Sequence, residues 1–162
     1  MRSPSELTSA FRAQGLKVTP QRQLLFRLLH GNHTHPSAEA LFHVASEQMP
    51  GISLRTVYQT LTDLAAMGEL RQVSLGGGSS RFDPNVDEHH HLVCRECGDV
   101  RDVYVTDVDA LTNGVHGADV DGFEVDTTAI VFGGRCAACA ARATADLAHP
   151  QLHPQPNNKE QP

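Results

Sequence analysis

Tryptophan is absent from this chain of 162 residues, which has only two tyrosines and six phenylalanines. With so few aromatics, neither half can build a large core alone, and small domains of this kind need a staple or a partner subunit. No apolar run reaches spanning length and none lies near Met1. The expectation is therefore no membrane anchor and no signal peptide, with the cytoplasm as the location. Cysteine is also scarce, at four residues. In a reducing compartment these point to metal ligands or redox groups rather than structural disulfides. Histidine, by contrast, is plentiful at ten, a skew toward metal chemistry.

Positive charge is short as well, with a formal net charge of -6. Its distribution nevertheless leaves room for nucleic acid. Residues 1–82 hold eight Arg/Lys against five acids, and residues 83–162 hold five bases against fourteen acids. A mildly basic first half joined to an acidic second half fits DNA contact at one end only.

The first half reads as a succession of short helices. Leu7, Phe11 and the Gly15 stop mark one over about 5–14. Thr19-Pro20 opens a second, because Thr caps free amides and Pro suits the first helical position. Leu24, Leu25, Leu28 and Leu29 form its apolar stripe, and Gly31 ends it. After a loop with His30, His33, His35 and Pro36, Ser37 caps a third helix carrying Ala40, Leu41 and Val44. Ser53 caps a fourth, running to Met67. Leu54, Val57, Leu61 and Leu64 share one of its faces, while Arg55, Tyr58, Gln59 and Thr62 share the other. Two alternating segments, 69–75 and 79–83, flank Gly76-Gly77-Gly78 and read as a β-hairpin. Helices followed by a hairpin make a winged helix-turn-helix.

The second half alternates strands with cysteine knuckles. Strands are expected at His89–Val93, Val100–Val105 and Phe123–Phe132, a weak helix around Asp107–Val115, and an Ala-rich helix within 136–145. The predicted division is a DNA-binding domain over 1–83, a hinge at 84–88, a metal-binding dimerisation domain over 89–145 and a disordered tail over 146–162, rich in Pro, Gln and Asn. The fold class is α+β, an N-terminal winged helix-turn-helix with a C-terminal α/β domain.

Cys94-x-x-Cys97 and Cys136-x-x-Cys139 can close a tetrahedral thiolate site suited to structural zinc. Such a site contributes folding energy on the order of 10–16 kcal/mol in small zinc peptides. A redox dithiol pair is the alternative, though no βαβ pattern places either pair like a thioredoxin motif. In His89-His90-His91, strand alternation sets His89 and His91 on one face. Asp83 and Asp102 are nearby carboxylates, and His35 lies in the other half. If His35 reaches the same ion, metal would clamp the two domains together. A nitrogen/oxygen set without thiolate suits Fe(II) or Mn(II), although raw affinity favours zinc, nickel or copper. Adventitious binding by solvated histidines is the competing reading. A metallohydrolase would need an open zinc position and a base such as Glu88; it leaves the two-faced helix and hairpin without a purpose, so no enzyme is expected.

Several segments together resemble the ferric uptake regulator family: Gly15-Leu16-Lys17-Val18-Thr19-Pro20-Gln21-Arg22, His35-Pro36-Ser37-Ala38, Ser53-Leu54-Arg55-Thr56-Val57-Tyr58, His89 through Gly98, and Cys136-Ala137-Ala138-Cys139. The match covers about residues 5–145, in the family's order and spacing. The resemblance implies a homodimeric repressor that binds double-stranded, inverted-repeat operator DNA when metallated. Its structural zinc falls on Cys94, Cys97, Cys136 and Cys139, and its regulatory Fe2+ or Mn2+ on His35, Asp83, His89, His91 and Asp102. Asp at 83, where iron-uptake regulators tend to carry Glu, makes the chain similar to the peroxide-sensing PerR branch. There, Fe(II) and hydrogen peroxide oxidise ligand histidines, here His35 and His89. An iron- or nickel-responsive regulator without peroxide sensing is the alternative. The resemblance also implies DNA contacts: Tyr58 packing on thymine, Lys17 in the minor groove, and Arg55, Gln59 and Thr62 facing the major groove. Arg22, and Arg71 and Arg81 of the wing, are expected at phosphates. A further site in some members maps to Glu88, His90, Asp109 and Thr128; Thr128 replaces a usual His, so this site is not carried over.

Overall fold

The computed structural model describes residues 1–75, 79–108 and 128–148. Four helices come first: α1 (Pro4–Ala13), α2 (Pro20–Leu29), α3 (Ala38–Gln48) and α4 (Leu54–Ala66). Each begins at a side chain that accepts a backbone N–H, from Ser3, Thr19, Ser37 and Ser53 in turn. Ser3 and Glu6 complete a reciprocal capping box. Thr19, Ser37 and Ser53 stand where the sequence set them. The ends also follow local rules, since Gly15, Gly31 and Gly68 take φ of 72°, 69° and 70°, a region most side chains avoid.

The apolar stripes of these helices form one core. Leu7, Phe11, Leu25, Phe26, Leu29, Val57, Leu61 and Leu64 are all fully buried. Phe11 and Phe26 meet edge to face, their centroids 4.8 Å apart. Scarce aromatics are thus concentrated where the helices cross.

The wing pairs β1 (Arg71–Val73) with β2 (Arg81–Asp83) antiparallel. Both strands are shorter than the alternating segments, and Gly76-Gly77-Gly78 lies outside the described residues. A third segment joins the wing, because the Phe82 N–H donates to Pro36 O at 3.0 Å and Ser37 bridges Arg81. This pairing draws the loop before α3 against the end of β2.

A second sheet has the order β4-β3-β5, with β3 at His90–Cys94, β4 at Val100–Val103 and β5 at Val131–Gly134. The β3/β4 pair is antiparallel and β3/β5 parallel. The third strand therefore lies at 131–134; the Phe123–Thr127 part of the predicted strand is outside the described residues, as are Asp109–Val115 and the tail from His149. α5 (Ala137–Ala148) follows the second cysteine pair. Among the described residues no helix is long and apolar enough to cross a membrane.

Candidate metal centres and nucleic-acid interface

Four separate segments bring five side chains together. His35 comes from the loop held against the wing, Asp83 ends β2, His89 immediately precedes β3, His91 lies within it, and Asp102 sits on β4. The β3/β4 register pairs His91 with Asp102, placing them on one face. One ligand atom from each of the five lies within 4.8 Å of all the others. Four of the five residues are buried; Asp102 is partly exposed.

The contacts inside this cluster are close, yet they do not satisfy it. His35 Nε2 is 2.7 Å from Asp102 Oδ1 and 3.6 Å from Asp83 Oδ1. His89 Nε2 is 2.8 Å from Asp83 Oδ2 and 3.1 Å from His91 Nε2. Despite these approaches, His35 Nε2, Asp83 Oδ2 and Asp102 Oδ1 lack a hydrogen-bond partner of acceptable geometry. Buried polar atoms left this way are costly. Lone pairs that converge without bonding one another are the expected arrangement of ligands around a cation, so the residues fit a metal ion.

The outer atoms are organised to keep the inner ones directed. His35 Nδ1 is 3.2 Å from His33 O, and His89 Nδ1 is 2.7 Å from Asp87 O. Donation from Nδ1 leaves Nε2 as the lone-pair nitrogen in each ring. His35 also adopts φ 49°, in the left-handed region, where a non-glycine residue costs about 1–2 kcal/mol. Burial disfavours charge on His35, but Asp83 and Asp102 outweigh it and raise its pKa. Burial acts on Asp83 in the opposite sense, but the nearby His35 imidazole, the Asn85 N–H and His89 together outweigh it, so its carboxyl is lowered. His91 is lowered by burial and then by the neighbouring imidazoles.

The four thiols form a second cluster, again with ligand atoms within 4.8 Å. All four are free thiols. Cys97 Sγ and Cys136 Sγ are 3.8 Å apart, close to the edge of a tetrahedron with Zn–S arms of ~2.3 Å. Gly98, at φ 72°, lets the first knuckle turn, with its N–H on Cys94 O at 2.9 Å. The Cys94 thiol is lowered to about 6 by backbone N–H groups, first that of Cys136. Cys139 is pushed up to about 12 by burial and the neighbouring thiols. A nearly dry thiol beside three others fits a divalent cation, which would stabilise the thiolate. Arg142, which spacing did not single out, donates to Cys139 Sγ at 2.8 Å.

On α4, Arg55, Tyr58, Gln59 and Thr62 are all exposed, and so is Lys17 in the turn before α2. Tyr58 donates to Glu39 at 2.6 Å and Gln59 to Asp63 at 2.9 Å. Arg22, expected at a phosphate, is engaged within the chain. Its guanidinium pairs with Asp63 at 2.6 Å, donates to Lys17 O at 2.9 Å and stacks 5.3 Å from the Phe11 ring centre. Arg71 likewise donates to Val86 O at 2.8 Å. Of the further site, Asp109 lies outside the described residues, while Glu88, His90 and Thr128 line a cavity of about 360 Å³. Asn85 is a contact of the first cluster that spacing missed; its N–H donates to Asp83 Oδ1 at 2.8 Å and its amide to Asp102 Oδ2 at 2.7 Å. A turn-forming Asn two residues after a ligand was the available signal.

The sequence profile of the Ferric uptake regulator family matches residues 13–132. The chain belongs to this family. Among curated members of the ferric uptake regulator family it is 37% identical to the peroxide-responsive repressor PerR of Staphylococcus aureus, over 97 residues. That match covers 60% of this chain and 66% of the relative, just under two thirds of its length. Among solved structures, the ferric uptake regulator of Pseudomonas aeruginosa with manganese is 28% identical at a TM-score of 0.59, covering 80% of this chain and 97% of the other. The Helicobacter pylori Fur structure, described as having three functional metal binding sites, shares the fold at a TM-score of 0.68 and 20% identity, covering 84% of this chain and 90% of the other.

Proposed function

We propose that this chain is a metal-dependent transcriptional repressor that binds inverted-repeat operator DNA as a homodimer and senses peroxide. One observation carries the reading: a single buried cluster takes His35 and Asp83 from the winged-helix side and His89, His91 and Asp102 from the second sheet. An ion held there ties the two parts in one orientation. Metal occupancy then shifts the equilibrium between DNA-competent and splayed dimers, by no more than its differential affinity for the two. Zinc is assigned to Cys94, Cys97, Cys136 and Cys139, where it fastens a sheet with few large side chains. Fe2+ or Mn2+ is assigned to the His/Asp cluster, as an all-nitrogen/oxygen donor set favours. The manganese described for the Pseudomonas structure supports the same choice.

On the DNA side, Arg55, Tyr58, Gln59 and Thr62 are the proposed readers and Lys17 a minor-groove contact. Arg22 is the residue that braces α2 against α4. Peroxide sensing rests on the likeness to PerR and on Asp, not Glu, at 83. When bound, Fe2+ supplies the reactivity with hydrogen peroxide. The chain supplies buried imidazoles at 35 and 89 to be oxidised and a fixed pair of carboxylates.

The experiment is operator binding by the zinc-loaded protein with Mn2+ or Fe2+, before and after peroxide. Repression should hold with either metal and be lost with peroxide only for Fe2+, with a gain of about 16 Da on His35 or His89, one oxygen atom. Binding that survives peroxide with unmodified histidines selects the alternative, an iron- or nickel-responsive regulator.

A further inference from the structure

Asn85 has no hydrogen bond to any of the three histidines among the described residues, yet it contacts both carboxylates of the His/Asp cluster. Its N–H donates to Asp83 Oδ1 at 2.8 Å and its side-chain amide to Asp102 Oδ2 at 2.7 Å. The oxygens left over are Asp83 Oδ2 and Asp102 Oδ1. These same two atoms are buried without a hydrogen-bond partner, and they face the imidazole nitrogens. One residue has therefore taken the outer oxygen of each carboxylate and left the inner one for the centre. The amide is itself held, with its Nδ2 3.0 Å from the Tyr104 hydroxyl and its Oδ1 accepting the Asp87 N–H at 3.2 Å.

We infer that Asn85 is a positioning residue that selects one oxygen from each aspartate, limiting the cluster to three nitrogen and two oxygen donors. The inference rests on the metal-site reading above. A carboxylate with both oxygens free can turn to present both to a cation, whereas one anchored through its outer oxygen offers a single donor. Partners of metal ligands typically change affinity by about 10–100-fold when removed. Asn85 also bridges β2 and β4, so the selection joins the two parts that the ion would tie together.

The side-chain half of this device is testable without activity. Zinc-loaded protein is titrated with Co2+ to read the ligand-field spectrum, and with Mn2+ to read affinity, for the parent, Asn85→Ala and Tyr104→Phe. Asn85→Ala retains the backbone N–H on Asp83 but frees Asp102 Oδ2. The expected result is weaker ligand-field absorption, as the donor number rises, together with Mn2+ affinity lower by about tenfold or more. Tyr104→Phe removes the second acceptor of the amide nitrogen and should leave both readings within twofold of the parent. An unchanged Co2+ spectrum in Asn85→Ala overturns oxygen selection, whether or not affinity falls. Zinc content and melting of Asn85→Ala should match the parent; a variant that loses both is replaced by Asn85→Ser, too short to reach Asp102, read by the same spectrum. A parent that takes up no second metal overturns the site reading itself, and this inference with it.

Discussion

Arg22 allows the sharpest separation between a residue that reads DNA and one that shapes the reader. Its pair with Asp63 is 2.6 Å long, and the two side chains are only 14% and 12% exposed. Exposed pairs contribute about 0–1 kcal/mol, too little for groups so withdrawn from water. Truncating one partner of a fully buried pair costs about 3–5 kcal/mol, too much where some solvent remains. Arg22→Ala should therefore destabilise the helical core by about 2 kcal/mol, including the lost stacking on Phe11. In a double-mutant cycle with Asp63→Ala the two should couple by about 1 kcal/mol or more. The assay is urea unfolding followed by helical circular dichroism with zinc saturating, repeated on Arg22→Ala, Asp63→Ala and the double variant. Operator binding as a function of salt supplies the second axis. Each phosphate contact contributes about 0.9 to the slope of log K against log salt. Arg22→Ala should weaken binding without changing that slope, whereas Lys17→Ala should lower it by about one. A coupling below about 0.5 kcal/mol, combined with a slope reduced by Arg22→Ala, would refute the bracing role and restore the phosphate contact.

The remaining predictions concern the two metal clusters. Because the Cys94 thiol is lowered to about 6 and Cys139 raised to about 12, zinc uptake at pH 7.5 should release fewer protons than the four thiols could supply; indicator titration finding a full four would contradict the ionised Cys94. Gly98→Ala forces a left-handed φ on a side chain at 72°, which costs about 1–2 kcal/mol, so zinc affinity measured by chelator competition should fall about 5–30-fold. His35 is raised above its ordinary 6.5 and His91 lowered. Mn2+ affinity should therefore begin to fall on acidification already above pH 6.5, as the proton competes at His35 first; calorimetry showing no loss until well below 6 would exclude this. In the zinc-loaded protein lacking the second metal, the charge pairing of His35 stabilises the fold fully below 6.5, the unfolded value. That contribution is lost as pH rises through the raised folded value, so the urea midpoint should decline over that interval and Mn2+ should abolish the decline.

What could be read without tertiary structure was whatever local rules encode. Thr19, Ser37 and Ser53 each present a side-chain oxygen just ahead of an apolar stripe, and each caps a helix. The two-residue period of His89-His90-His91 and the Cys-x-x-Cys spacing likewise depend on neighbours in the chain. The same logic put Arg55, Tyr58, Gln59 and Thr62 on the exposed face of α4. Strand ends were less legible, since β1, β2 and β4 stop where pairing partners stop rather than where alternation does.

The chain order alone could not decide which distant groups meet. His35 reaches Asp83 because Pro36 and Ser37 pair with β2, and Asp102 faces His91 because of the β3/β4 register. Both are hydrogen-bonding facts between segments far apart. Arg22 is the plainest case. From composition it was one basic residue among eight in the first half, with the charge and reach to hold a phosphate. Only the packing of α2 on α4 brought Asp63 to its guanidinium. Which of Asp102's equivalent oxygens stays inward was likewise left to Asn85, because a one-dimensional string does not distinguish two atoms of one carboxylate.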